Sequence, residues 1–198
     1  MRTVSEPVDV WEDGWYRQAQ REPSANFGAR PFGAAVDLLV LHSISLPPGV
    51  FGTGRVRDLF LNRLDIGAHP YFVQLQGVQV SAHFFIERSG HLWQFVDCDC
   101  RAWHAGVSRY RGRENCNDDS IGVELEGLEG GLFEAEQYQC LLSLTQAIRA
   151  RYPLRYVAGH EHIAPARKAD PGAGFDWFVL QKSSAFEGMQ FPHQTIFR

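Results

Sequence analysis

Residues 159–172, GHEHIAPARKADPG, put two histidines one residue apart, a lysine and an aspartate into one loop stiffened by Pro165 and Pro171. Neutral imidazole and carboxylate are donors that zinc takes in catalytic sites, commonly as three protein ligands with one position open. His160 and His162 compete for one such place, and spacing alone does not separate them. With Asp170 as the oxygen donor a ligand is still missing, and the donor expected to supply it is His42, at the end of the apolar run VDLLVLH. Lys168 would set a positive charge where a reaction intermediate needs one. Taken singly, Lys168 is a surface charge, and Asp170 before Pro171 is a turn residue that bonds its own backbone.

A second stretch, SIGVELEG, adds carboxylates. Side chains alternate faces along a strand, so Ile121, Val123 and Leu125 point one way and Gly122, Glu124 and Glu126 the other. Alone, the two glutamates read as a solvated face, because charged residues are mostly exposed. A ligand set elsewhere in the chain reverses that reading, since zinc hydrolysis needs a carboxylate to move a proton from water to the leaving group. The other histidines, His69, His83, His91, His104 and His193, each fall to the default of a hydrogen-bonded core or surface residue. Trp103 reads as core or rim.

Residues this far apart can meet only on a prefolded scaffold. The 198 residues suit one domain with a sizeable core. Residues 36–41 form a continuous apolar run of central-strand type. A short helix is expected over 56–64, strands over 80–87 and 91–96 joined by a turn at 88–90, and a strand over 120–126. Residues 134–152 read as the longest helix, stopped by Pro153, with Tyr138, Leu141, Leu142, Thr145 and Ile148 on one face. A strand over 155–158 delivers His160, and a last helix follows over 175–180. Residues 103–118 read as a long surface loop, the first thirty as a wrapping arm without a core of its own, and 181–198 as a loosely held tail. The expected fold is α/β (α+β): a single domain spanning 1–198, its core over about 15–180, with a mixed central sheet flanked by helices.

Composition closes off other classes. A net charge of −4 gives no basic stripe for nucleic acid. No apolar run approaches the roughly 20 residues of a membrane helix. The acidic opening MRTVSEPVDVWEDGW lacks the pattern of a secretory signal, and without one the cysteines at 98, 100, 116 and 140 are expected as free thiols in a reducing compartment.

The segments LLVLHSISLPPGVFG, VSAHFFIER, RAWHAGVSRYRGRENCND, SIGVELEG and GHEHIAPARKADPG with the following FDW resemble N-acetylmuramoyl-L-alanine amidases of the AmpD type, in order across nearly the whole chain. These are cytoplasmic amidases that release L-alanine-linked peptides from 1,6-anhydro-N-acetylmuramic acid during cell-wall recycling. The resemblance implies one Zn2+ held by His42, His160 and Asp170, with Glu124 and Lys168 catalytic, at one end of a surface groove. It also implies a small soluble muropeptide as partner, with no nucleic acid and no membrane. Trp103 and Ser43 are the candidate substrate contacts. The chain departs from the family pattern at Ser43, where asparagine is usual, at Gln79, where arginine is usual, and in the GLEGGLF loop; these positions bear on recognition of sugar and peptide. Two related classes share the groove: a peptidoglycan-binding module, which usually loses a ligand or an acid–base residue, and an amidase acting on intact wall.

Overall fold

The computed structural model describes residues 10–192. Its framework is a six-stranded mixed sheet. In chain order the strands are β1 (Gln20–Arg21), β2 (Leu38–Ile44), β3 (Phe84–Ile86), β4 (Leu92–Gln94), β5 (Ser120–Glu126) and β6 (Tyr156–Gly159), and in space they run β6-β2-β5-β3-β4-β1. The four strands β6, β2, β5 and β3 are parallel neighbours, β3 and β4 form an antiparallel hairpin, and β1 joins β4 in parallel. The apolar run beginning at Leu38 becomes β2, flanked on both sides and wholly buried up to Leu41, as a strand covered on both faces requires.

Register divides the sheet into two faces. Leu39, Leu41, Ile121 and Val123 join one core cluster with Leu141, Leu144 and Ile148 of the long helix α2 (Ala135–Arg151). Glu134 and Gln137 close a capping box at the start of α2, and the buried Gln137 amide also donates to the carbonyls of Ile86 and Glu126, pinning the helix to β3 and β5. The inward stripe of α2 differs from the expected one at a single turn: Leu144 is buried and Leu142 only half-buried. The opposite sheet face carries Leu38, Val40 and Ala158, packed with Ala105, Cys116 and Ile163. Beside it lies a cluster built on Phe85, Phe95 and the short helix α1 (Arg55–Phe60).

Three expectations need correction. The opening segment contributes to the main core: Trp11 and Tyr16 are buried, the Trp11 indole N–H donates to the Ala147 carbonyl of α2, and the Tyr16 amide donates to Gln94. The segment after α4 (Trp177–Gln181) is likewise packed, with Ala185, Phe186, Met189 and Phe191 buried and Tyr156 bridged to Gln190; residues 193–198, His193 included, lie outside the described residues. Residues 103–118 form a folded insertion. His104, Ala105, Ser108, Cys116 and Asn117 are buried, and the Asn117 side chain accepts from the His104 and Ala105 amides. Among the described residues no helix is long and apolar enough to cross a membrane, and all four cysteines are free.

Candidate metal centre

The register of three parallel strands assembles the site. His42 of β2 stands directly opposite Glu124 of β5, and Glu124 opposite Phe85 of β3, so the histidine and the glutamate share a face. The last pair between β6 and β2 is Gly159 with Leu41. One step further the chain delivers His160 beside His42, as the first residue of the short helix α3 (His160–Ile163). The site thus forms at the carboxyl ends of parallel strands, where open α/β sheets place their ligands.

Nδ1 of His42 lies 2.9 Å from Nδ1 of His160, and the two lie 3.1 and 3.2 Å from the same Asp170 oxygen. All three residues are buried, and their donor atoms form a cluster that could hold one metal ion. The backbone N–H of Glu161 donates to the Asp170 carbonyl, tying the returning loop to α3. The outer nitrogen of His160 lies 3.1 Å from the Ala105 carbonyl, which can only accept, so the proton sits on Nε2 and the lone pair on Nδ1 faces the cluster. Burial lowers the His42 imidazole to about 4, leaving it neutral near pH 7. Neutral nitrogen and ionised oxygen converging at these distances are the donor set of a divalent cation.

The two glutamates of β5 divide sharply. Both are buried, so the solvated-face reading does not hold for either. Both oxygens of Glu126 are engaged: its carboxylate accepts the backbone N–H groups of Gly52 and Arg88. Glu124 Oε2 is buried with no hydrogen-bond partner among the described residues. Burial raises the Glu124 carboxyl well above its ordinary value, the nearby Asp170 charge adds to this, and Lys168 opposes it. A proton acceptor kept free of structural duty, with an elevated pKa, is suited to general acid–base work.

Glu124, His160 and Asp170 line one cavity of about 470 Å³, together with Ser43, Trp103 and the exposed Lys168. Apolar side chains also line it, Leu46, Tyr71, Val78 and Leu128 among them. Ser43 is half-buried, and its hydroxyl reaches the Pro171 carbonyl only at 3.5 Å. His162 turns away from the cluster: its Nδ1 accepts the Gly159 N–H, and its ring packs edge-on against Trp177. Gly159 is required there, because a Cβ would stand 2.7 Å from Pro171.

His69 and His91 serve local contacts, and His83 is a core residue whose Nδ1 accepts the Gly122 N–H. His104 is also a buried, hydrogen-bonded residue, but its partner is a member of the cluster. Its Nδ1 lies 2.9 Å from His42 Nε2, and its own Nε2 lies 3.1 Å from the Ser120 hydroxyl. Burial, with the neighbouring imidazoles, holds it well below the ordinary histidine value. The signal in the sequence was Gly122, an apparently idle position in an otherwise side-chain-rich strand; a Cβ there would lie 2.5 Å from the His104 ring.

Residues 32–173 match the family model of N-acetylmuramoyl-L-alanine amidases. The chain is 49% identical over 168 residues to the 1,6-anhydro-N-acetylmuramyl-L-alanine amidase AmpD of Citrobacter freundii, covering 84% of this chain and 90% of that protein. A crystal structure of selenomethionine AmpD superimposes with a TM-score of 0.83 at 47% identity, over 86% of this chain and 96% of that one. The amidase AmiD of Escherichia coli, in complex with the substrate anhydro-N-acetylmuramic acid-L-Ala-D-γ-Glu-L-Lys, matches with a TM-score of 0.54 at 29% identity, over 77% of this chain and 60% of that one. Agreement of sequence and fold on this scale leaves one assignment: the chain belongs to the N-acetylmuramoyl-L-alanine amidase family.

Proposed function

We propose that this chain is a zinc-dependent amidase of cell-wall recycling, acting in the cytoplasm. It hydrolyses the bond between 1,6-anhydro-N-acetylmuramic acid and L-alanine in small soluble muropeptides. The observation that carries the reading is the convergence of His42, His160 and Asp170 within 2.9–3.2 Å of one another, in the cavity that also holds the unpartnered carboxylate of Glu124. The substrate class is supported by the names of the similar proteins, above all AmpD.

His42, His160 and Asp170 would hold the zinc ion, which would supply Lewis acidity toward water and the substrate carbonyl at neutral pH. Glu124 takes the proton of the attacking water and passes it to the departing amine of L-alanine. The ammonium of Lys168, at the mouth of the cavity, offsets the negative charge that grows on the lactyl carbonyl oxygen, an effect on the order of 3 kcal/mol for a well-placed donor. Trp103 presents an aromatic face for a sugar ring, and Ser43 offers a hydroxyl where the family pattern has an amide. The apolar side chains of the lining offer nonpolar contact to the substrate.

The test is metal content together with turnover, before and after chelation, on defined anhydromuropeptide and on insoluble wall. The recycling reading expects one zinc per chain, preference for the soluble fragment, and loss and recovery of activity with the metal. A zinc-loaded protein that prefers the wall is a wall amidase; one that cuts neither is a binding module.

A further inference from the structure

His42 can serve as a ligand through Nδ1 only if its proton resides on Nε2, and the surroundings of His104 dictate that choice. The dictation starts at a main-chain carbonyl. The Ser120 hydroxyl donates its single proton to the Cys116 carbonyl, which accepts only. The hydroxyl therefore has only a lone pair to offer His104 Nε2, 3.1 Å away, so that nitrogen carries a proton. His104 is buried, and its two ring nitrogens meet only the Ser120 hydroxyl and the His42 ring, with no carboxylate hydrogen-bonded to either. A neutral ring protonated at Nε2 has a bare Nδ1, and that atom lies 2.9 Å from His42 Nε2. His42 must then donate at Nε2, and its Nδ1 lone pair is turned toward His160 and Asp170.

We propose that His104 is a positioning residue of the metal centre: a one-way hydrogen-bond relay, Cys116 carbonyl to Ser120 to His104, fixes the tautomer and the ring orientation of His42. Gly122 belongs to the same device. It stands opposite Val40 on the face that carries His42 and Glu124, and the missing side chain is the space that lets the His104 ring lie against the strand. The relay is carried by residues 104, 116, 120 and 122, so the folded 103–118 insertion and the start of β5 have a shared duty toward a ligand on β2. The outer nitrogen of a metal-bound histidine usually meets a carboxylate, a carbonyl or water. A second imidazole in that place leaves the pair neutral, which keeps one formal positive charge on a zinc ion bound by two imidazoles and Asp170.

The inference rests on the zinc reading, and the two fail separately. Nitrogen-15 spectra of histidine-labelled, metal-free protein at neutral pH report the tautomer directly. The expected pattern has His104 protonated at Nε2 with a bare Nδ1; a proton on His104 Nδ1 overturns the relay whether or not zinc binds, whereas His42 Nδ1, 3.1 Å from the Asp170 carboxylate, has a competing acceptor in metal-free protein. Zinc affinity by chelator competition is the second readout. His104→Phe, which keeps bulk and removes the acceptor, is expected to weaken zinc binding roughly 10–100-fold. His104→Gln, whose amide oxygen can accept from His42, is expected to recover most of that loss. Equal affinity in wild type and His104→Phe ends the inference and leaves the zinc site standing, as does a natively folded His104→Gln as weak as His104→Phe. If His104→Phe does not fold, the His104→Gln affinity and the wild-type tautomer decide alone. A wild-type protein that binds no zinc ends the reading on which the inference rests.

Discussion

Glu124 and Glu126 share a strand face two positions apart, yet hydrogen bonding assigns them different work. Glu126 is fully engaged by backbone N–H groups, whereas Glu124 retains a buried oxygen without a partner. Replacing Glu124 by Gln keeps shape and removes the base. The expected outcome is a kcat loss of about 10²–10⁴-fold with zinc content unchanged, read by turnover and metal analysis on the same preparation; full activity in a zinc-loaded variant would sink the assignment. Lys168 affects this residue electrostatically, beside its proposed role in the reaction. Lysine lowers the raised Glu124 pKa, so Lys168→Ala raises it further. Glu124 must be ionised to accept a proton, and a higher pKa moves the acid limb of the kcat/KM profile to higher pH. Lys168→Ala is therefore expected to lose about 10²–10³-fold in kcat and to shift that limb upward. A limb that stays or moves down would separate Lys168 from Glu124.

At the scale of elements, the site depends on how firmly β5 is held, and Gln137 is the clamp. Its side chain closes the cap of α2 and donates to the carbonyls of β3 and β5, with no exposure to solvent. Gln137→Leu fills similar space and leaves those groups unpaired, at about 1–3 kcal/mol for each buried orphan. A fall in the urea midpoint corresponding to at least about 2 kcal/mol is expected, and an unchanged midpoint would mean that water or a local shift replaces the bonds. Strands such as β5 were legible because apolar and polar positions alternate cleanly, and β2 because its run is unbroken; β5 has the expected bounds, while β2 starts two residues and ends three residues later than expected. The loop around residues 159–172 was legible because the ligand chemistry itself is local. What escaped the reading was set by distant partners. Trp11 and Tyr16 look like residues of a polar arm until α2 covers them. His104 looks idle because the ring it orients is 62 positions away. Phe186 and Phe191, which pack together and into the main core, sit among polar and small residues that carry no periodicity. Periodicity reports the face of a regular element; it carries nothing about irregular chain pressed onto that face.

For the whole molecule, the cost of the site appears in the dependence of stability on pH. Burial lowers His42 to about 4 and His83 to about 3, with Arg30 adding to the effect on His83, and it holds His104 well below the ordinary value. Unfolded, these groups take up protons near pH 6.5. The unfolded chain therefore binds more protons than the native one between pH 6.5 and about 3, and metal-free stability falls as pH falls through that window. For His42 alone the change is on the order of 3 kcal/mol at 1.36 kcal/mol per pKa unit. Glu124 acts with the opposite sign. Its native pKa is raised, so the native state holds a proton that the unfolded chain releases near pH 4.5, and its contribution is lost as pH rises. In wild-type protein the two effects oppose each other on acidification. Glu124→Gln removes the opposing one, so the metal-free variant is expected to be more stable than wild type at pH 7 and to lose stability more steeply on acidification. Denaturant midpoints of both proteins at pH 7, 6 and 5, with chelator present, test this. A variant less stable than wild type at pH 7 would show that the Glu124 carboxyl is held by interactions that outweigh its burial. Zinc should raise both midpoints by mass action. The proposed general base is thus expected to be a residue without which the empty fold would be more stable, a trade-off familiar where function requires a buried carboxyl without a hydrogen-bond partner.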